Sequence, residues 1–247
     1  MSRPETETSG ESSFLEDFSI QCAALSADAP SRANEDRYLF AAPGLPAAER
    51  AGVGYVLVVA DGMSQGGKGA FAAQKTVDVI REILLEERAA KLQPSLLELK
   101  FFASNDAVVE QTGGGCAATG IWIWEDTTGE EPHLRGGWAH AGDTRLYLKR
   151  NDKWQILTTD HAKGSALSKF VGIGTGFIPQ VGTLDLEPGD WMVLCSDGVW
   201  GYACPIKSRA AEECETPEEA ATQLVHLARR NASPDDATAI VIRVGKA

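Results

Sequence analysis

Residues 56–67 read Val-Leu-Val-Val-Ala-Asp-Gly-Met-Ser-Gln-Gly-Gly. Val56 to Ala60 is an apolar, β-branched run, the pattern of a buried strand. It delivers Asp61-Gly62 to the strand's end, where a turn begins. Glycine lets the backbone approach a ligand closely and present its own carbonyl oxygen. A carboxylate beside such a carbonyl suits a hard cation such as Mg²⁺ or Mn²⁺. The same dipeptide is also an ordinary strand-to-turn signal. The weight therefore falls on what the rest of the chain adds to it.

The remainder repeats the device. Trp191 to Cys195 is a second apolar strand, and it stops at Ser196-Asp197-Gly198. Ala237 to Val244 is a closing strand whose mouth carries Asp235. Asp36 follows the polar loop that starts at Asp28 and precedes the strand-like Tyr38-Leu39-Phe40, and Asp143 sits in the turn Ala141-Gly142-Asp143. Each acid alone is a turn-former or a solvated loop residue. Together they point to one acidic pocket at a sheet edge. Carboxylates packed so closely repel, and their pKa values rise unless cations neutralise them. Oxygen ligands without His or Cys favour Mg²⁺ or Mn²⁺ over zinc.

Between these points the chain alternates strands and helices. Ala73, Val77, Ile80 and Leu84 fall at helical spacing after Gly69, and Leu97, Phe101 and Val108 line a second helix. Thr216-Pro-Glu-Glu219 reads as a capping box with Pro at the first helical position, opening a helix that runs to about Asn231. Leu134 to His140 and Thr144 to Lys149 read as a hairpin, and Leu167 to Val171 as a weakly helical piece. The three glycines 113–115 lead into a strand and lack a P-loop Lys-Ser/Thr, which discards a nucleotide-binding loop.

With 247 residues, 43% of them apolar and 23% charged, the composition is that of a globular protein. A net charge of −12 argues against nucleic acid as a partner. The five cysteines form no CxxC pair and are odd in number, which favours free thiols in a reducing compartment. No apolar run reaches the roughly 18 residues of a membrane helix. Residues 1–13 are polar and acidic, with neither the basic start nor the apolar core of a signal peptide. The expectation is a disordered tail over 1–13, one domain over 14–247, and a cytoplasmic, monomeric protein.

Six stretches resemble the metal-dependent Ser/Thr protein phosphatases of the PP2C (PPM) family. They are Asn-Glu-Asp-Arg (34–37), Val-Ala-Asp-Gly-Met (59–63), Ala-His-Ala-Gly-Asp-Thr-Arg-Leu-Tyr-Leu (139–148), Leu-Thr-Thr-Asp-His (157–161), Leu-Cys-Ser-Asp-Gly-Val-Trp-Gly (194–201) and Asp-Asp-Ala-Thr-Ala-Ile-Val (235–241). Each is weak alone; six in the family's order over residues 20–245 are specific. The resemblance implies an α+β fold, a four-layer α/β/β/α sandwich of two antiparallel sheets flanked by helices. It implies two ions, Mn²⁺ or Mg²⁺: Asp61 bridges both, the Gly62 carbonyl binds one, Asp197 and Asp235 hold one, and Asp36, helped by Glu35, holds the other. Asp143 matches the ligand of a third ion. The implied reaction is hydrolysis of phosphoserine and phosphothreonine in proteins by metal-activated water. A phosphorylated protein is then the substrate, and a Ser/Thr kinase a candidate partner.

The match departs from the family in places. The family's phosphate-binding Arg falls at Ser31, and the nearest guanidinium, Arg32, is one residue displaced. After His161 only Ala162 to Ala166 intervene where many members insert a flap subdomain. His161 and Asp160 read as loop anchors. Two other readings stay open: a pseudophosphatase that uses the fold as a regulatory binding module, and a phosphatase of small metabolites.

Overall fold

The computed structural model describes residues 7–8, 12–15, 18–41, 54–63, 67–85, 95–127, 133–163, 166–208 and 213–246. In chain order the elements are β1 (Glu7–Thr8), β2 (Ser12–Leu15), β3 (Phe18–Ala27), β4 (Arg37–Ala41), β5 (Tyr55–Gly62), α1 (Gly69–Arg81, continued by a 3-10 turn Glu82–Leu85), α2 (Ser95–Gln111), β6 (Cys116–Asp126), β7 (His133–Ala141), β8 (Arg145–Arg150) and β9 (Lys153–Ile156). There follow β10 (Ala162–Lys163), β11 (Ala166–Leu167), β12 (Gln180–Asp185), β13 (Trp191–Cys195), α3 (Asp197–Ala203), α4 (Pro205–Ser208), α5 (Pro217–Arg230) and β14 (Ala237–Gly245).

The run Val56 to Ala60 is apolar at every position because β5 is covered on both faces. Val56, Val58 and Ala60 pack with Ala73, Val77 and Ile80 of α1 and Phe101 of α2. Leu57 and Val59 face the other way, against Ile20, Leu146, Leu194 and Ile240 of the second sheet. The outer face of that second sheet packs Leu25, Val193 and Val241 against Ala221, Leu224 and Val225 of α5. Three apolar layers thus separate four structural ones, the expected α/β/β/α sandwich. One sheet runs β12-β7-β6-β5-β4; the other runs β1-β3-β14-β13-β8-β9, with β2 also on β3. All pairs are antiparallel.

Two sequence expectations change, and some elements add to the reading. Strands β7 and β8 are not a hairpin: β7 lies between β6 and β12, and β8 between β13 and β9. The chain crosses between sheets at Gly142, where φ is +113° and a Cβ would stand 2.3 Å from that of Ala117. The piece around Leu167 to Val171 is not helical; it starts at the last residue of the small β10–β11 ladder and ends in a bridge from Val171 to Cys116. Helix α3 and strand β12 were not foreseen. In the tail expected to be disordered, the described residues form β1 and β2 on the open edge of β3, whose unpaired backbone groups invite pairing; the other residues up to 11 lie outside the described ones.

Half of the expected capping box forms at α5, and the returning Glu219 carboxylate reaches the residue before the N-cap. Thr216 accepts from the Glu219 backbone N–H at 3.2 Å, and the Glu219 carboxylate accepts from the Glu215 N–H at 3.0 Å. Among the described residues no helix is long and apolar enough to cross a membrane.

Candidate active site

Strand polarity brings the five aspartates to one end of the sandwich. Asp61 closes β5, Asp143 follows β7, Asp197 follows β13, and Asp235 precedes β14. The register aligns those ends: Asp61 pairs with Ala117, Ala118 with Ala141, and Cys195 with Ala239. Asp61, Gly62, Asp143, Asp197 and Asp235 line one cleft of about 340 Å³, together with Arg32, Met63, Ala117, Ala166, Leu167 and Phe170. Of the residues expected at the site, Glu35 does not line it, and neither does Asp36. Its carboxyl is buried behind the cleft, and its Oδ2 accepts from Ser196 Oγ at 2.8 Å and Thr238 Oγ1 at 2.7 Å.

Glycine makes the close packing here possible. A Cβ on Gly62 would lie 2.4 Å from the backbone carbon of Gly69, and one on Gly198 only 1.8 Å from the carbonyl oxygen of Asp236. The start of α1 can therefore press on the end of β5, and the start of α3 on the turn before β14.

The electrostatics are those of like charges held together. Burial raises the Asp61 carboxyl well above the usual range, and Asp36, Asp197, Asp143 and Asp235 push it further. Burial takes Asp36 up to about 7, against the opposing hydrogen bonds from Thr238 and Ser196. Asp143 rises to about 6, again chiefly through burial, with Asp197 adding repulsion. Asp197 is raised by burial and by Asp235, and it stands close enough to Asp61 to share a hydrogen bond with it. Among the described residues the only guanidinium lining the cleft belongs to Arg32, which contacts Asp235 directly and lies 2.8 Å from both Glu35 and Asp236. Burial works against its charge, but these carboxylates outweigh it and raise its pKa.

The donor set fits hard dications. It is all oxygen, it carries uncompensated negative charge, and Asp36 Oδ1 and Asp197 Oδ1 are buried without a hydrogen-bond partner. Among the described residues no three His, Cys, Asp or Glu side chains form a ready-made ion cage. The carboxylates converge, and ligation would draw them closer.

Supporting residues complete the end of the sandwich. Arg145 makes a two-pronged pair with Asp160 at 2.7 and 2.9 Å, and its guanidinium lies 3.5 Å from the centre of the Trp200 ring. Trp200 Nε1 donates to the Asp143 carbonyl at 2.8 Å. His161 accepts from Gly142 N–H and stacks on buried His140, whose Nδ1 meets Thr119 Oγ1 at 2.8 Å. Both His161 and Asp160 therefore anchor loops. Sequence reasoning missed Ser196, Thr238 and Asp236. The first two had a signal, a hydroxyl inside an otherwise apolar strand end; Asp236 was masked by its neighbour Asp235.

A two-sheet sandwich with aspartates gathered at the strand ends defines a PP2C-type phosphatase domain. The chain belongs to the family of stage II sporulation protein E (SpoIIE), which matches residues 51–245. It is 26% identical over 219 residues to the serine/threonine protein phosphatase PstP of Mycobacterium tuberculosis, covering 76% of this chain. The chain spans 40% of the length of that relative. Among solved structures, the PstP catalytic domain in complex with two manganese ions is 25% identical with a TM-score of 0.72, over 92% of this chain and 99% of that one. PppA, a key regulatory component of T6SS in Pseudomonas aeruginosa, shares the fold at 24% identity and a TM-score of 0.73, over 91% of this chain and 97% of that one.

Proposed function

We propose that this domain removes phosphate from phosphoserine and phosphothreonine in proteins, using two divalent ions, Mn²⁺ or Mg²⁺. The observation that carries this reading is the cleft itself. Four aspartates from widely separated segments share it, and among its described lining residues there is no Ser, Thr, Cys, His or Lys. Among the described lining residues there is thus no hydroxyl or thiol nucleophile, whereas gathered carboxylates suit ions. Asp61, Asp197 and Asp235 would hold the pair with the Gly62 carbonyl, Asp36 would complete one sphere from behind, and Asp143 would hold a third ion. Bound there, the ions supply an acidified water as nucleophile and offset charge on the phosphoryl oxygens. Arg32 orients the phosphoryl group by charge-assisted hydrogen bonds. Met63, Leu167 and Phe170 give the cleft an apolar wall that limits water.

The similarity to PstP, whose catalytic domain is solved with two manganese ions, supports the metal dependence. Hydrolysis of phosphoserine and phosphothreonine peptides with Mn²⁺, with and without EDTA, tests the reading. Turnover that EDTA abolishes is expected. Turnover that survives EDTA would overturn the metal dependence, and none with any divalent ion would instead make the fold a binding module. Hydrolysis of small phosphate esters alone would make it a metabolite phosphatase.

A further inference from the structure

Asp236 adjoins Asp235 yet turns away from the cleft, and it is only 2% exposed. Donors surround its carboxylate. Oδ1 accepts from the Ala29 N–H at 2.6 Å; Oδ2 accepts from the Glu35 N–H at 2.9 Å and lies 2.8 Å from the Arg32 guanidinium. The two backbone donors stand at opposite ends of the loop that carries Arg32. One buried carboxylate therefore ties that loop closed and clips its guanidinium from below. A second guanidinium nitrogen contacts Asp235 at the cleft, and the fork retains N–H donors for an incoming phosphoryl oxygen.

We propose that Asp236 is a positioning residue: it fixes Arg32 at the mouth of the cleft and so sets the affinity for the phosphoryl group, without touching substrate. This rests on the phosphatase reading above. Asparagine is not an equivalent. All three partners are donors, and an amide nitrogen in place of either oxygen would face one of them. Glutamate keeps both oxygens but moves them by a methylene, which displaces the fork.

The test uses inorganic phosphate as a competitive inhibitor of Mn²⁺-dependent turnover. Asp236→Asn, Asp236→Glu, Arg32→Ala and the double variant Arg32→Ala/Asp236→Asn are compared, each with a thermal melt and a calorimetric Mn²⁺ titration. Asp236→Asn and Asp236→Glu should each raise the phosphate Ki and the KM about tenfold, the effect of losing one charge-assisted hydrogen bond. The loss should fall on KM more than kcat, and Mn²⁺ affinity should hold. In the Arg32→Ala background, Asp236→Asn should add nothing further, because both act through one guanidinium. An unchanged Ki in whichever Asp236 variant folds overturns the proposal, as do effects that multiply in the double variant. Wild-type protein that neither hydrolyses a phosphomonoester nor binds phosphate overturns the underlying phosphatase reading, and the proposal with it.

Discussion

Asp61 concentrates the conflict between folding and function. It is half-buried at the cleft beside four other aspartates, and both desolvation and repulsion oppose its charge. Asp61→Asn removes one charge and leaves the shape nearly unchanged. It should stabilise chelator-treated protein by about 1–3 kcal/mol in a urea melt, while Mn²⁺-dependent peptide turnover falls by about three orders of magnitude. Equal or lower stability would mean that the cluster is not strained by its own charge. The five clustered aspartates were legible in the sequence because each interrupts or flanks an apolar run. Their buried partners were not. Ser196 Oγ reaches Asp36 across 160 positions, and no local pattern records such a meeting.

The elements hold these residues by backbone proximity. Helix α3 begins where β13 ends, and Gly198 lets it sit on the turn before β14. Gly198→Ala would drive a methyl group into the Asp236 carbonyl. The variant should lose roughly 2–4 kcal/mol of stability and most of its activity, since Asp197 and Asp235 separate together. The α5 cap is remote from the cleft, and Thr216→Ala should cost about 1 kcal/mol with turnover intact. Urea melts and peptide turnover on both variants check the contrast. Legibility at this scale followed length and local chemistry. The α5 start was readable from Thr216-Pro-Glu-Glu219, whereas the turn at Gly142 showed only that the chain bends, not that it changes sheets. Helix α3 has 7 residues, too few to display a helical period.

For the molecule as a whole, the proposed reading couples protons to metal at the cleft. A carboxyl raised from 3.8 to about 7, as at Asp36, keeps its proton in the fold and releases it in the unfolded chain between those values. The folded state binds more protons there, so this contribution to stability is present below about 4 and is lost as the pH rises through about 7. Asp143 does the same up to about 6. Metal must displace these protons. The rise in melting temperature given by saturating Mn²⁺ should therefore grow from pH 5 to pH 8, and a rise independent of pH would place the ions elsewhere. His140, held down to about 4 by burial, stays neutral in the fold from pH 5 to pH 8 and drops out of that difference. On the proposed reading, neutralisation by bound ions would let a chain of net charge −12 receive a dianionic ester.

Diffraction from crystals grown with Mn²⁺, recorded at the manganese absorption edge, tests the convergence of aspartates on ions most directly. Two anomalous peaks within about 2.5 Å of the Asp61 carboxylate, shared with Asp197 and Asp235, are the expected result. Peaks beyond reach of Asp61, or none in the cleft at saturating metal, would contradict it.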